Sequence, residues 1–161
     1  MQKKSNSKQG KTDGFNYCLY LLGISAKSVS VLRLKLQQKG YSEQETEQII
    51  DKLTRLNLID DQRLAIQLVD YYKRTSPVGA LRLKQILLSK GIPGDIAIRA
   101  SKLNEDEETE LIKRLLDKKG QKKRSFAQLG HYLQSRGFSG QAIRRRLSQE
   151  FNSLDYWGDD C

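Results

Sequence analysis

The sequence predicts an all-α chain built from three tandem three-helix repeats, and three observations predict it. One helical phrase, closed by a basic-Gly-apolar triplet, is written three times: Leu32 to Tyr41 around Gly40, Leu83 to Ile92 around Gly91, and Leu129 to Phe138 around Gly137. The glycines stand 51 and 46 residues apart, a spacing typical of repeat architectures. Superposing them aligns Leu32/Leu83/Leu129, Leu36/Leu87/Leu133, Lys39/Lys90/Arg136 and Tyr41/Ile92/Phe138. Second, the chain holds only 2 prolines and 7% aromatic residues against frequent Leu, Lys, Gln and Glu, which disfavours a β-sandwich and favours helices. Third, 37% hydrophobic beside 30% charged residues fits thin helical layers with much exposed surface. Stacked copies of one unit offer an extended surface rather than a pocket, which favours binding over catalysis.

Residues 1–14 carry Lys3, Lys4, Lys8 and Lys11 with no apolar period and read as a disordered basic arm. The first repeat spans 15–57. A helix is expected from Phe15 to Leu22, broken at Gly23 to Ser25. Ser28 or a neighbour caps the second, whose Val29, Leu32 and Leu36 share one face, and Gly40 ends it in the left-handed conformation. Ser42-x-x-Glu45 is a capping box opening the third, with Tyr41 as staple and Thr46, Ile49, Ile50, Leu53 and Leu56 inward.

The second repeat spans 58–103. Asp60 or Asp61 caps a helix carrying Leu64, Leu68 and Tyr72; Pro77 ends it and Gly79 loosens the chain. Leu83 and Leu87 mark the next helix, and Pro93 presets the one that follows, with Ile96, Ala97 and Ala100 inward. The third repeat, 104–153, opens with a long helix from Asn104 to Lys119 whose acidic start and basic end complement the macrodipole. Leu111, Ile112, Leu115 and Leu116 are its apolar face. A basic loop from Gly120 to Arg124 leads to Phe126, Leu129 and Leu133, and the last helix turns Ala142, Ile143 and Leu147 inward. Residues 154–161 form an acidic and aromatic tail around Tyr156-Trp157.

The net charge of +10 and pI near 9.6 imply acidic partners: nucleic acid, an anionic membrane or an acidic protein surface. Two cysteines, Cys18 and Cys161, are too few for a disulfide framework or a metal site and fit a reducing compartment. The apolar stretch from Phe15 to Ile24 is about half a membrane span and follows a lead-in too polar for a signal peptide, so a cytoplasmic protein is expected.

Catalytic signatures are missing: the sequence has no phosphate loop, HExxH, Cys-x-x-Cys or Gly-x-Ser-x-Gly. His131, the single histidine, has no second histidine beside it and reads as a packing residue. Asp60-Asp61 reads as a cap rather than a carboxylate pair, and Glu105 to Glu110 as dipole-complementing acids rather than cation ligands. Tyr71-Tyr72-Lys73-Arg74 mixes aromatic and basic residues as single-strand binders do, but without a strand pattern it reads as packing. No catalytic residue, metal or cofactor is expected.

The basic residues are more informative. Lys122-Lys123-Arg124 shares a loop and Arg144-Arg145-Arg146 one helical turn, and concentrated charge of one sign calls for a partner that neutralises it. The basic residue before each glycine also has a local explanation, because a cation in the last turn favours a helix C-terminus.

The three-helix repeats, the phrase Leu-x-x-Lys-Gly-Tyr-Ser ending at Ser42, and Leu58-Ile59-Asp60-Asp61-x-Arg63-x-Ala65 opening the second repeat together resemble the RecX family of bacterial recombinase regulators. The resemblance covers about residues 15–152. It implies an elongated, curved helical array that is not an enzyme. It further implies binding in the groove of the RecA–DNA filament, which limits filament growth, strand exchange, ATP hydrolysis and co-protease activity. The RecA nucleoprotein filament is then the partner, with direct contact to single- or double-stranded DNA also open. The contact surface expected here is Arg82, Lys84, Lys90, Lys118, Lys119, Lys122, Lys123, Arg124, Arg136, Arg144, Arg145 and Arg146. Two other classes stay open: a sequence-independent nucleic-acid-binding helical repeat protein, and a scaffold that meets an acidic protein.

Overall fold

A computed structural model describes residues 13–118 and 125–155, with side chains over 13–117 and 125–150. Residues 1–12 of the basic arm, the 119–124 loop and the Tyr156-Trp157 tail lie outside the described residues. Asp13 and Gly14, expected in that arm, instead begin the first helix, because the Asp13 side chain accepts the N–H of Phe15 and caps it. Among those described there are nine α-helices and no strand. They run in three sets of three: α1 (Gly14–Ile24), α2 (Val29–Gln38) and α3 (Glu43–Arg55); α4 (Asp61–Thr75), α5 (Ala80–Ser89) and α6 (Gly94–Ala100); α7 (Glu105–Lys118), α8 (Phe126–Ser135) and α9 (Gly140–Asp155). The chain divides into two compact units between Leu64 and Ala65.

The repeated triplet is one backbone motif. Gly40, Gly91 and Gly137 have φ of 84°, 77° and 80°, a region that side chains with a Cβ disfavour. In each copy the residue after the glycine donates its N–H back to the leucine five residues before it, at 3.1, 3.1 and 3.3 Å (Tyr41 to Leu36, Ile92 to Leu87, Phe138 to Leu133). That is the Schellman end of a helix, sealed by the apolar residue of the triplet.

In the first unit Cys18, Leu32, Leu36, Ile50, Leu53 and Ile59 form the core. Burial pushes the Cys18 thiol above its ordinary range, so it behaves as a small apolar side chain. Asp13 caps α1, Ser28 caps α2, and Ser42 with Glu45 closes the expected capping box. Two expectations are corrected. Gly23 lies inside α1 rather than breaking it. Leu56 is exposed, because the helical period ends at this C-cap and Asn57 turns the chain at φ 54°.

Acids from the opening helix of one repeat hold the second helix of the repeat before it. Asp60 caps α4 through the N–H groups of Gln62 and Arg63, while Asp61 accepts the N–H of Val29, at the start of α2, at 3.0 Å. In the second unit Glu108, on α7, accepts the N–H of Ala80 at the start of α5 (3.0 Å) and that of Ser139 ahead of α9 (2.9 Å). Glu108 is 3% exposed, so the acidic run contains a buried clamp as well as dipole-complementing residues. Around it Leu111, Ile112, Leu115, Leu129, Leu133, Phe138, Ala142 and Leu147 form the core of the third repeat.

Gly79 does not loosen the chain. It N-caps α5 and donates to the carbonyl of Arg136 at 3.0 Å, and Leu81 donates to the carbonyl of Gly137 at 3.3 Å. Two backbones touch there, and only a residue without a Cβ permits it: an added Cβ would sit 2.2 Å from the Gly137 carbonyl oxygen.

Burial pushes the Asp61 carboxyl above its ordinary range; the Val29 N–H and the more distant Arg33 pull against that and Asp60 adds to it. A carboxyl raised in the folded state stabilises most below its unfolded pKa, and that contribution is lost as pH rises through the folded value. Asp61→Asn keeps an acceptor for Val29 without the buried charge. It is expected to hold or raise the thermal midpoint at pH 7 and to flatten its dependence on acid. Asp61→Ala orphans the N–H and is expected to cost about 1–3 kcal/mol. Melting both variants at pH 4 and 7 checks this.

Candidate interaction surface

No group of His, Cys, Asp and Glu among the described residues could hold a metal ion. His131 is exposed and lines a groove of about 320 Å³ between α8 and α9 with Phe126, Gln134, Phe138 and Arg144. Tyr71 and Tyr72 pack edge to face at 5.4 Å, with Tyr71 54% exposed rather than fully inside a helix layer. The functional question therefore falls on the cations.

The three consecutive arginines do not make one face. Successive residues of an α-helix point about 100° apart, and the three go to different places. Arg145 reaches the start of α7 and pairs with Asp106 at 2.6 Å and Glu105 at 3.5 Å, which holds its guanidinium more firmly charged. Arg146 is largely buried and pairs with Glu150 one turn on. Arg144 is exposed, lies over the α8–α9 groove, and has no ion pair among the described residues.

Arg136 also has a partner inside the fold. Its guanidinium donates to the Ser76 hydroxyl at 3.1 Å and the Pro77 carbonyl at 3.3 Å, and lies 5.4 Å from the centre of the Tyr132 ring. Its counterpart Lys39 lies 4.5 Å above the Tyr17 ring. Beyond complementing the helix end, the basic residue before the glycine thus anchors a neighbouring element in repeats one and three. Arg82 is exposed on α5 and donates to Gln85 at 3.2 Å, Lys84 lies half-buried on the same helix, and Lys90 is its exposed C-cap. Lys118 closes α7, but its side chain and all of Lys119, Lys122, Lys123 and Arg124 lie outside the described residues.

The repeat equivalence explains which cations stay available. In the first repeat Arg33 on α2 grips Glu47 on α3 through two bonds of 2.6 and 2.8 Å, which holds the Glu47 carboxyl below its ordinary range. Counted from the glycines, the equivalents of Arg33 are Lys84 and Gly130, and those of Glu47 are Ile98 and Arg144. The same two positions of the repeat thus hold a neutralised pair in the first copy, a lysine and an isoleucine in the second, and a glycine and an arginine in the third. This signal is present in the superposed repeats, but only the Arg33–Glu47 contact gives it meaning.

Comparison with known proteins agrees with this architecture. The family model for the first three-helix domain of RecX matches residues 15–53. The chain is 32% identical over 138 residues to the regulatory protein RecX of Prosthecochloris aestuarii, covering 83% of this chain and 91% of that protein. To the regulatory protein RecX of Chlorobium limicola it is 29% identical over 157 residues, covering 94% and 95%. The crystal structure of RecX from Lactobacillus salivarius superposes with a TM-score of 0.71 at 27% identity, over 86% of this chain and 94% of that one. No helix among the described residues is long and apolar enough to cross a membrane. The chain belongs to the RecX family, whose members are regulatory proteins and not enzymes.

Proposed function

We propose that the protein restrains RecA in the cytoplasm by lying in the groove of the RecA–DNA filament and limiting filament growth. Strand exchange, ATP hydrolysis and co-protease activity fall as a consequence. The observation that carries the reading, beside family membership, is the selective loss of the Arg33–Glu47 neutralisation in the later repeats, where Lys84 and Arg144 face no acid across their helix pair. A groove that contains acidic protein and DNA phosphates would neutralise these cations. Arg82 and Lys90 extend the cationic surface on the second repeat, and the sequence of the 118–124 stretch extends it on the third.

The test is DNA-dependent ATP hydrolysis by RecA as the protein is added in substoichiometric amounts. A fall in rate well below one copy per RecA protomer is expected. Inhibition only when bare DNA is saturated would instead favour the plain nucleic-acid binder. Arg144→Ala is expected to weaken inhibition about tenfold, or ~1.4 kcal/mol, with an unchanged thermal midpoint. Arg145→Ala breaks an exposed pair and is expected to shift stability by less than about 1 kcal/mol. Equal inhibition by Arg144→Ala and the parent would remove Arg144 from the surface.

A further inference from the structure

At three outer positions, Leu81, Leu88 and Ile98, the second repeat is apolar where its siblings are not, whereas α2 of the first repeat exposes a single leucine, Leu34, at the place of Gln85. Leu81 and Leu88 on α5 are 60% and 44% exposed, and Ile98 on α6 is 46% exposed. Leu81 and Leu88 stand seven residues apart, so they share a helix face, with Gln85 between them, Arg82 to one side and Lys84 to the other. Ile98 occupies the place that Glu47 holds opposite Arg33, across the α5–α6 pair from Lys84.

Counted from the glycines, the three positions are Ser30, Gln37 and Glu47 in the first repeat, and Ala127, Gln134 and Arg144 in the third. Core positions are leucine in all three copies and nearly fully buried, so the difference is confined to the outer surface. Nothing in the helix pair needs a leucine there, because two sibling pairs fold without one. The patch is also held still. The start of α5 is bonded to the α8–α9 turn through Gly79 and Leu81, and capped by Glu108.

We infer that Leu81, Leu88 and Ile98, flanked by Arg82 and Lys84, form a docking surface for the protein component of the filament, namely an apolar patch on RecA rimmed by carboxylates. This rests on the RecA reading and names the part of this chain that performs it. A phosphate backbone rewards cations and gives leucines nothing, so the apolar centre points to protein rather than nucleic acid. A second copy of this chain is a poor occupant. A symmetric pairing of this face would gather Arg82 and Lys84 of both copies into one interface with no acid among the patch residues, in a chain of net charge +10.

The variants replace these residues by those of the first repeat: Leu81→Ser with Leu88→Gln, and separately Ile98→Glu. Full-length protein is titrated onto RecA–DNA filaments and, in parallel, onto bare single-stranded DNA, with thermal midpoint and sedimentation as controls. Filament affinity is expected to fall at least tenfold in the double variant and as much in Ile98→Glu, whose carboxylate meets an acidic rim. In the double variant, which changes no charge, affinity for bare DNA and the midpoint are expected to stay within error; Ile98→Glu, which sets an acid opposite Lys84, is compared on the filament alone. Parent-like filament affinity in both variants overturns the docking surface and leaves the RecA reading standing. A parent protein that neither binds nor slows RecA overturns that reading and this surface with it. A parent dimer that dissociates in the double variant assigns the face to self-association instead, and equal losses on filament and bare DNA assign it to nucleic acid.

Discussion

Replacing Gly79 by alanine is expected to unfold the second unit at temperatures where the first still holds. The new methyl would lie 2.2 Å from the Gly137 carbonyl oxygen, 2.4 Å from the Gly137 carbonyl carbon and 2.4 Å from the Phe138 Cα. All three are backbone, so no flexible side chain can swing aside. The Gly79 φ of −77° suits any residue, which makes the penalty steric rather than conformational. Parting the two chains enough to admit the methyl breaks the Gly79–Arg136 and Leu81–Gly137 hydrogen bonds and draws Arg136 away from Ser76 and Pro77. Overpacking and lost buried hydrogen bonds together cost on the order of 3–5 kcal/mol, which for a unit of this size lowers the midpoint by roughly 10 °C or more. Gly130 is the control: a Cβ there meets nothing within 4 Å, so Gly130→Ala is expected to be neutral or stabilising by up to about 1 kcal/mol. Circular dichroism melts, with hydrogen exchange resolved by unit, separate the two outcomes. A Gly79→Ala midpoint within a degree of the parent would mean that the crossing is not a fixed joint.

What was legible in the sequence is what depends on near neighbours along the chain. The glycine ends, the Ser42–Glu45 box and the capping role of Asp60 each need only a few residues, and the sequence contains all of them. What escaped is what two distant segments decide together. Gly79 read as a loosener because its partner, Gly137, is 58 residues away. Arg145 read as one of three partner-seeking arginines, although its acids lie on α7. Sequence adjacency also misled directly, since three arginines in one turn are dispersed around a helix rather than gathered. Glu108 did carry a local signal. It stands three, four and seven residues before Leu111, Ile112 and Leu115, on the apolar face, where an acid with no inward partner would be costly.

That buried acid separates two accounts of the α7 acidic run. If Glu108 only complements the helix dipole, Glu108→Ala should cost the few tenths of a kcal/mol typical of such charges, as should Glu110→Ala. Glu110 is exposed and reaches Arg114 only at 3.9 Å, so its loss is expected to stay below about 0.5 kcal/mol. If Glu108 is the clamp seen here, its truncation orphans the N–H groups of Ala80 and Ser139 and leaves a cavity, a cost of about 2–5 kcal/mol. Exchange of those two amides should rise with it, while the first unit stays protected. Glu108→Gln should fall between, because its amide oxygen can serve one N–H while its NH₂ opposes the other. The clamp also bears on binding: it secures the starts of α5, which presents Leu81, Lys84 and Leu88, and of α9, which presents Arg144. On the proposed RecA reading, Glu108→Ala should therefore weaken filament binding well below its melting temperature, although Glu108 is too buried to touch any partner.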